Sequence, residues 1–291
     1  MRFNDANSYF KKTFGHKMYK AAISMPVTCP NRDGRCGTGG CAFCSEGGSG
    51  EFAEGSEIPV NEQIDKAIAR LSAKVPEDTG YIAYFQSFTN TYCDASFLEE
   101  RLEAAAAHTK VEAISIATRP DCLPDDILGV LQRVAAKMPL YVELGLQTSS
   151  DKTANRFGRG YKTDVYREAV PKLRAIGANV ITHIIFGLMG EDEEQMMDSV
   201  RTAVEAGTDG VKFTCLYILK GTRIEDEWRR GEIELPGMVE YFDIVEKAFE
   251  LLPPDVVVHR ITGDGPKILL LAPMWTADKR RVINYINGRF G

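Results

Sequence analysis

Six short apolar segments, each followed by a stretch of helical periodicity, leave this chain few folds to choose from. Residues 21–27, 81–86, 113–119, 140–147, 180–186 and 211–216 have the length and side chains of buried strands. Strand and helix alternating in this way predict an α/β fold, a parallel sheet with helices packed outside it. The signals between the strands agree. Ile64, Ile68, Leu71 and Val75 recur at helical spacing. Ser96 with Glu99 reads as a capping box for a helix over 98–108. Thr163 is placed to cap the next helix and Gly177 to stop it. Glu191, Asp192, Glu193 and Glu194 suit the positive end of a helix running to Ala206, which Gly207 ends. Past residue 219 the pattern becomes a helix over 237–252, a strand over 255–261 and a helix over 278–287. The expected organisation is a basic N-terminal extension (1–20), a (β/α)6 core (21–230) and a C-terminal α/β extension packed on it (231–291). Gly47-Gly48-Ser49-Gly50 reads as a loop.

The strands show which face is inside. In residues 140–147 the even positions are all aliphatic, as a helix-facing side requires, while the odd ones are Tyr141, Glu143, Gly145 and Gln147. The same split gives Ser115, Ala117 and Arg119 in the third strand and His183, Ile185 and Gly187 in the fifth. Buried polar side chains are costly unless paired or bound to a ligand, so this face is expected to line a polar cavity. In parallel barrels the active site lies at the C-terminal strand ends.

Cys29, Cys41 and Cys44 fall in one loop after the first strand. A Cys-x-x-Cys pair can turn two thiolates toward one metal centre, and a third reaches it across a linker holding Gly34, Gly37, Gly39 and Gly40. Three sulfurs would leave one iron of a four-iron cluster open for a ligand. With Cys36 the loop also reads as four thiolates, enough for a closed structural zinc site, and spacing alone leaves both open.

The bulk numbers are those of a globular protein: 291 residues, 44% hydrophobic and 26% charged. No run of about 18 apolar residues spans a membrane, and residues 1–7 lack the apolar core of a signal peptide. Seven cysteines without export point to the cytoplasm. A net charge of −6 argues against nonspecific coating of nucleic acid. Two local basic groups stand out, Lys11, Lys12, His16, Lys17 and Lys20 before the cysteine loop, and Lys279, Arg280, Arg281 and Arg289 near the end.

A cysteine loop after the first strand of a six-fold β/α array, with Phe43 before its last cysteine, resembles the radical S-adenosylmethionine enzymes. The wide gap from Cys29 to Cys41 is similar to that of the elongator catalytic-subunit-like branch. Cys-Pro-Asn-Arg-Asp-Gly, Gly-Gly-Cys-x-Phe-Cys, Tyr84-Phe85-Gln86, residues 117–122 (ATRPDC), 143–148 (ELGLQT) and 259–266 (HRITGDGP) resemble the YhcC/YtqA family over nearly the whole chain. The resemblance implies a partial (β/α)6 TIM-like barrel in which Cys29, Cys41 and Cys44 hold a [4Fe-4S] cluster and S-adenosylmethionine chelates its open iron. Cys36 falls where relatives need no cysteine. Gln86, Glu143, Gln147, Thr148, Gly187 and Gly190 are the implied cofactor contacts. Gln86 stands where many relatives carry a Gly-Gly-Glu turn, and residues 187–191 (GLMGE) match a Gly-Leu-Pro-Gly-Glu turn beside the adenine. Arg119, Arg260 and Lys212 are the implied catalytic groups, although Phe213-Thr214-Cys215 departs from a His-containing pattern. Implied too are a 5′-deoxyadenosyl radical, tRNA as substrate at its wobble uridine, and an electron donor such as flavodoxin or ferredoxin. Rival readings are radical chemistry on another RNA base or a small metabolite, and a zinc-stabilised binding protein.

Several residues carry two readings. Arg119 and Arg260 suit a substrate carboxylate or phosphate, or a buried ion pair with Glu143 or Asp121. His183 suits catalysis or a hydrogen-bonded interior. Cys93, Cys122 and Cys215 read as small buried side chains. Trp275 suits stacking on a base or packing of the last helix.

Overall fold

A computed structural model describes residues 3–48, 53–72, 75–263 and 265–291. Ser49 and Gly50 of the expected glycine-rich loop, and Asp264 of the last motif, lie outside the described residues. The strands β1 (Met18–Ile23), β2 (Gly80–Phe85), β3 (Val111–Thr118), β4 (Leu140–Gln147), β5 (Asn179–Phe186) and β6 (Gly210–Cys215) form a parallel sheet in chain order. A further strand from the C-terminal segment, Val257–Arg260, pairs in parallel with β6. The expected extension therefore supplies the seventh strand of the curled half-barrel rather than only packing on it.

Helices α1 (Ala6–Phe14), α2 (Val60–Ser72), α3 (Ala95–Ala106), α4 (Asp125–Ala135), α5 (Asp151–Phe157), α6 (Thr163–Ala175) and α7 (Glu193–Glu205) alternate with these strands. After β6 come β7 (Ile218–Leu219), α8 (Ile224–Arg229), α9 (Met238–Glu250), β8 (Val257–Arg260), β9 (Leu270–Ala272) and α10 (Lys279–Phe290), with β7 and β9 antiparallel. The outward strand side chains, Ala21, Ile23, Ala83, Phe85, Ile114, Ile116, Val142 and Leu144 among them, bury against the helices in one apolar core.

Local signals explain several helix ends. Asp192 caps α7 in a reciprocal capping box with Gln195, and Gly207 takes φ +88° just past the helix. Two helix-cap expectations are corrected. Asp94, not Ser96, is the N-cap of α3, and no side chain caps it. Thr163 lies inside α6 as its first residue, where its hydroxyl bonds the Ser149 carbonyl and Asp151 instead. The first strand begins at Met18 rather than residue 21, so Lys20 belongs to the sheet and leaves the N-terminal basic group. Its charge hid the strand start, because Lys20 points inward to Glu143.

The interior is layered. At the N-terminal strand ends Ile82, Ala113, Tyr141 and Ile181 form an apolar plug with Phe10 of α1. Above it sits a polar layer around Glu143, and above that the cavity opens at the C-terminal strand ends.

Candidate active site

The cavity has a volume of about 390 Å³ and is lined by the cysteine loop and by the inward residues of β2 to β6 and β8. Cys29, Cys41 and Cys44 all face it. Cys36 is exposed and does not. The loop is clamped to the segment after α5. The Ala42 N–H donates to the Phe157 carbonyl (2.8 Å), and Arg223 donates to the Gly40 carbonyl (2.9 Å) and the Phe157 carbonyl (3.4 Å). Asn31, 1% exposed, donates from Nδ2 to Cys41 Sγ (3.2 Å) and to the carbonyls of Gly158 (2.8 Å) and Arg159 (3.1 Å). Hydrogen bonds from Cys44 and Asn31, with the Arg119 and Arg223 charges, push the Cys41 thiol down to about 7 against its burial. The partner thiol Cys44 goes the other way, held well above its ordinary value by its bond to Cys41 and by burial.

Arg119 reads from sequence as a free cation or half of an ion pair, and the ion pair is what forms. Its fork donates to both Asp121 oxygens (2.9 and 2.7 Å), its Nη1 donates to the Arg159 carbonyl (2.9 Å), and the same nitrogen lies 3.9 Å from Cys29 Sγ. Sequence reasoning missed Arg159. Its guanidinium is 1% exposed and donates to the carbonyls of Leu146, Thr148 and Tyr161 and to Asp151, tying the end of β4 to the loop below the cysteines. Both partners Thr148 and Asp151 are local, but a buried arginine after a helix has no sequence signature.

Glu143 is the hub of the polar layer, 1% exposed. Its carboxylate pairs with Lys20 and Lys212 and accepts from Ser115 Oγ (3.0 Å), Tyr84 OH (2.7 Å) and His183 Nε2 (2.9 Å). These lysines hold it well below the usual carboxylate range despite its burial. With its oxygens so engaged inside the chain, Glu143 organises the floor. His183 makes the hydrogen bond of its second reading while its side chain also lines the cavity, and burial with the Lys212 charge beside it pushes its pKa down to about 4. Arg260 reaches the cavity and forms no ion pair among the described residues.

The expected cofactor contacts divide. Gln86, Glu143 and Gln147 line the cavity. Gln147 holds φ +60°, beside a register shift in β4, and an added Cβ at Gly145 would lie 2.4 Å from its Nε2. Thr148, Gly187 and Gly190 are not among the lining residues. Thr148 is fully buried and bonds Ser150 N and Glu191, because it begins the turn away from the sheet. The 187–191 turn sends Leu188 and Met189 into a second apolar cluster with Ala42 and Phe157. Trp275 donates to the Pro236 carbonyl (3.1 Å) and packs on Tyr241, the packing reading. Cys122 and Cys215 are buried, and burial raises the thiols of Cys93 and Cys122 to about 11 and 12.

Three thiols opening on one cavity, with N–H donors aimed at two of the sulfurs and the fourth cysteine outside, form a donor set that fits a three-ligand iron-sulfur cluster. Among the described residues no three His, Cys, Asp or Glu side chains gather around a single-ion site, as a zinc cage requires.

Residues 29–203 match the Radical SAM superfamily, and residues 208–290 match the Radical_SAM C-terminal domain. The chain is 41% identical to YtqA of Bacillus subtilis over 286 residues, 98% of this chain and 88% of that protein. It is 32% identical to YhcC of Escherichia coli K12 over 92% of this chain and 85% of the relative. The chain belongs to the radical SAM superfamily, in its YtqA/YhcC family. As a radical SAM enzyme it uses a [4Fe-4S] cluster and S-adenosylmethionine, which sets aside the zinc-stabilised binding protein. A tRNA uridine(34) acetyltransferase of Methanocaldococcus jannaschii is 28% identical over 61% of this radical SAM chain and 33% of its own length. Among solved structures, Methanocaldococcus infernus Elp3 lacking its N-terminus shares the radical SAM fold at TM-score 0.68 and 17% identity, over 94% of this chain and 63% of that one. No helix of the described residues is long and apolar enough to cross a membrane.

Proposed function

We propose that this radical SAM enzyme acts on the wobble uridine of tRNA, converting 5-carboxymethylaminomethyl-(2-thio)uridine to 5-aminomethyl-(2-thio)uridine, the reaction of the MnmL class within the family. The observation that carries this reading is Arg260, an arginine without an ion-pair partner among the described residues, in a cavity that also holds the three cysteines. Relatives named for uridine 34 of tRNA support the substrate class. Held at the loop of Cys29, Cys41 and Cys44, the cluster and S-adenosylmethionine would supply a hydrogen-abstracting 5′-deoxyadenosyl radical. The carbon between the substrate's nitrogen and carboxylate gives the most stabilised radical on loss of hydrogen. One electron would leave that carbon and a proton would leave the nitrogen to give an imine; water would add across it, and the carbon–nitrogen bond would break to release the amine and a two-carbon aldehyde acid. The overall conversion would consume no net electron, so the donor would serve to prime it. Arg260 would hold the carboxylate, Lys212 would stand beside it, and the Asp121-bound Arg119 would brace the cysteine loop. Lys279 at the cavity wall, with exposed Arg280 and Arg281 next to it, would meet the tRNA backbone.

Reconstituted enzyme with S-adenosylmethionine, a reductant and carboxymethylaminomethyl-bearing tRNA should form 5′-deoxyadenosine and aminomethyluridine in step, read by mass spectrometry. If 5′-deoxyadenosine forms no faster with that tRNA than without it, the wobble-uridine reading fails and another RNA base or a small metabolite takes its place.

A further inference from the structure

The cavity wall is unevenly charged. Glu143 is the one carboxylate among the described residues that line it, against Arg32, Arg119, Arg159, Lys212, Arg260 and Lys279. Asp121 and Asp151 already engage Arg119 and Arg159. At the floor, Lys20 and Lys212 share the single Glu143 carboxylate. Lys212 and Arg260 are directly paired positions of β6 and β8, so their side chains rise from neighbouring strands into the same space. Burial lowers the Lys212 pKa, yet with Lys212 neutral the Lys20 and Arg260 charges still outnumber Glu143. The floor therefore keeps an excess of positive charge, with Glu143 and Lys212 buried and Arg260 exposed to the cavity, and Coulomb energies around the buried pair exceed those in water.

We propose that Lys212 and Arg260, with Glu143 and Lys20 beneath, form a carboxylate subsite that holds the substrate's acid group and rejects the amine product. This rests on the reading of the reaction given above. Loss of the two-carbon unit changes the reacting group from a zwitterion carrying a carboxylate to a bare ammonium ion. The same floor that attracts the first repels the second, so turnover itself drives product from the cavity. Tyr84 supports the geometry: its ring lies under both ammonium groups, 4.2 Å from Lys20 Nζ and 5.0 Å from Lys212 Nζ, and its hydroxyl donates to Glu143.

The test uses fragments in place of tRNA. Cluster-loaded protein with S-adenosylmethionine is titrated with N-ethylglycine, which copies the substrate side chain, and with ethylamine, which copies the product. N-ethylglycine should bind and ethylamine should not. Arg260→Gln should weaken N-ethylglycine at least about tenfold, the loss expected of one charge-assisted hydrogen-bonded pair, and Arg260→Lys should restore part of it. Equal binding of the two fragments, or unchanged N-ethylglycine affinity in Arg260→Gln, overturns the subsite. The outcomes stay separate from those of the tRNA assay. Arg260-dependent binding of N-ethylglycine without any tRNA turnover keeps the subsite and points to another carboxylate substrate. Turnover of tRNA with fragment binding indifferent to Arg260 removes the subsite alone.

Discussion

The Asn31 amide reaches three acceptors at once, one of them the Cys41 sulfur. Three acceptors around Nδ2 fix which way the amide points and leave Oδ1 without a hydrogen-bond partner. Gly160 makes room for that oxygen: a Cβ there would sit 2.8 Å from Oδ1, and its φ of +81° suits glycine in any case. Hydrogen bonds to the sulfurs raise the reduction potential of an iron-sulfur cluster, because they stabilise the added electron. Asn31→Ala should therefore move the midpoint to a more negative value, read by potentiometric titration with electron paramagnetic resonance. Arg223→Met loosens the same loop from the Gly40 and Phe157 carbonyls without touching a sulfur. It should lower cluster retention and leave the potential in place; equal shifts in both variants would mean loop disorder rather than the amide bond. Sequence displayed Asn31 inside a motif but could not assign it a task, since its partners Gly158 and Arg159 lie more than a hundred positions away. Arg119 was more readable, because Asp121 stands two residues on.

At the scale of elements, α1 decides what the first basic group can do. Phe10 inserts among Ile82, Ala113, Tyr141 and Ile181, and the Lys17 carbonyl accepts from Gly80 at the start of β2. Helix α1 thus closes the end of the half-barrel opposite the cysteine loop. Lys11, Lys12 and Lys17 belong to that closed end, away from Lys279, Arg280 and Arg281, and the sequence, which showed only two basic groups, could not show the separation. Lys279 lines the cavity and α10 begins there. Changing Lys11 and Lys12 together to Gln should leave tRNA affinity and its salt dependence as they are. The change Lys279→Gln with Arg280→Gln and Arg281→Gln should weaken binding and flatten the salt slope, because fewer counterions are released. Filter binding across a salt series separates the two, and a loss from the Lys11 and Lys12 pair equal to that from the triple change would put the RNA on the wrong end. Strand order and direction were legible because alternation of apolar strands and helices fixes them. The seventh strand was legible as a strand but not as part of the sheet, since pairing is long-range.

Across the whole molecule the inner face runs from apolar plug to charged floor to cysteine mouth, and this layering ties stability to pH. His183 and His259 are both held neutral, His183 down at about 4 and His259 well below its ordinary value, first by burial; Lys212 is next for His183, Lys20 next for His259. Their folded pKa values are lowered, so below about 6.5 the unfolded chain binds protons that the fold refuses, for His183 down to about 4. Stability from these two groups is complete above about pH 6.5 and is lost as pH falls through that window. Each histidine contributes a slope of up to about 1.4 kcal/mol per pH unit there. Glu143 is also depressed, but as an acid it acts lower: its stabilisation is present above its unfolded value of about 4.3 and is lost only as pH falls below that. Acid should therefore weaken the fold in two stages, histidines first and the Glu143 hub second. Urea unfolding of the cluster-free protein at steps from about pH 7.5 down to about pH 2 measures this. In His183→Gln, whose amide can still donate to Glu143, the first-stage slope should fall by about half, since His259 remains, while the second stage is kept. A slope in His183→Gln equal to that of the natural chain would show that His183 titrates freely, and that the floor beneath the cavity is wetter and less charged than its geometry implies.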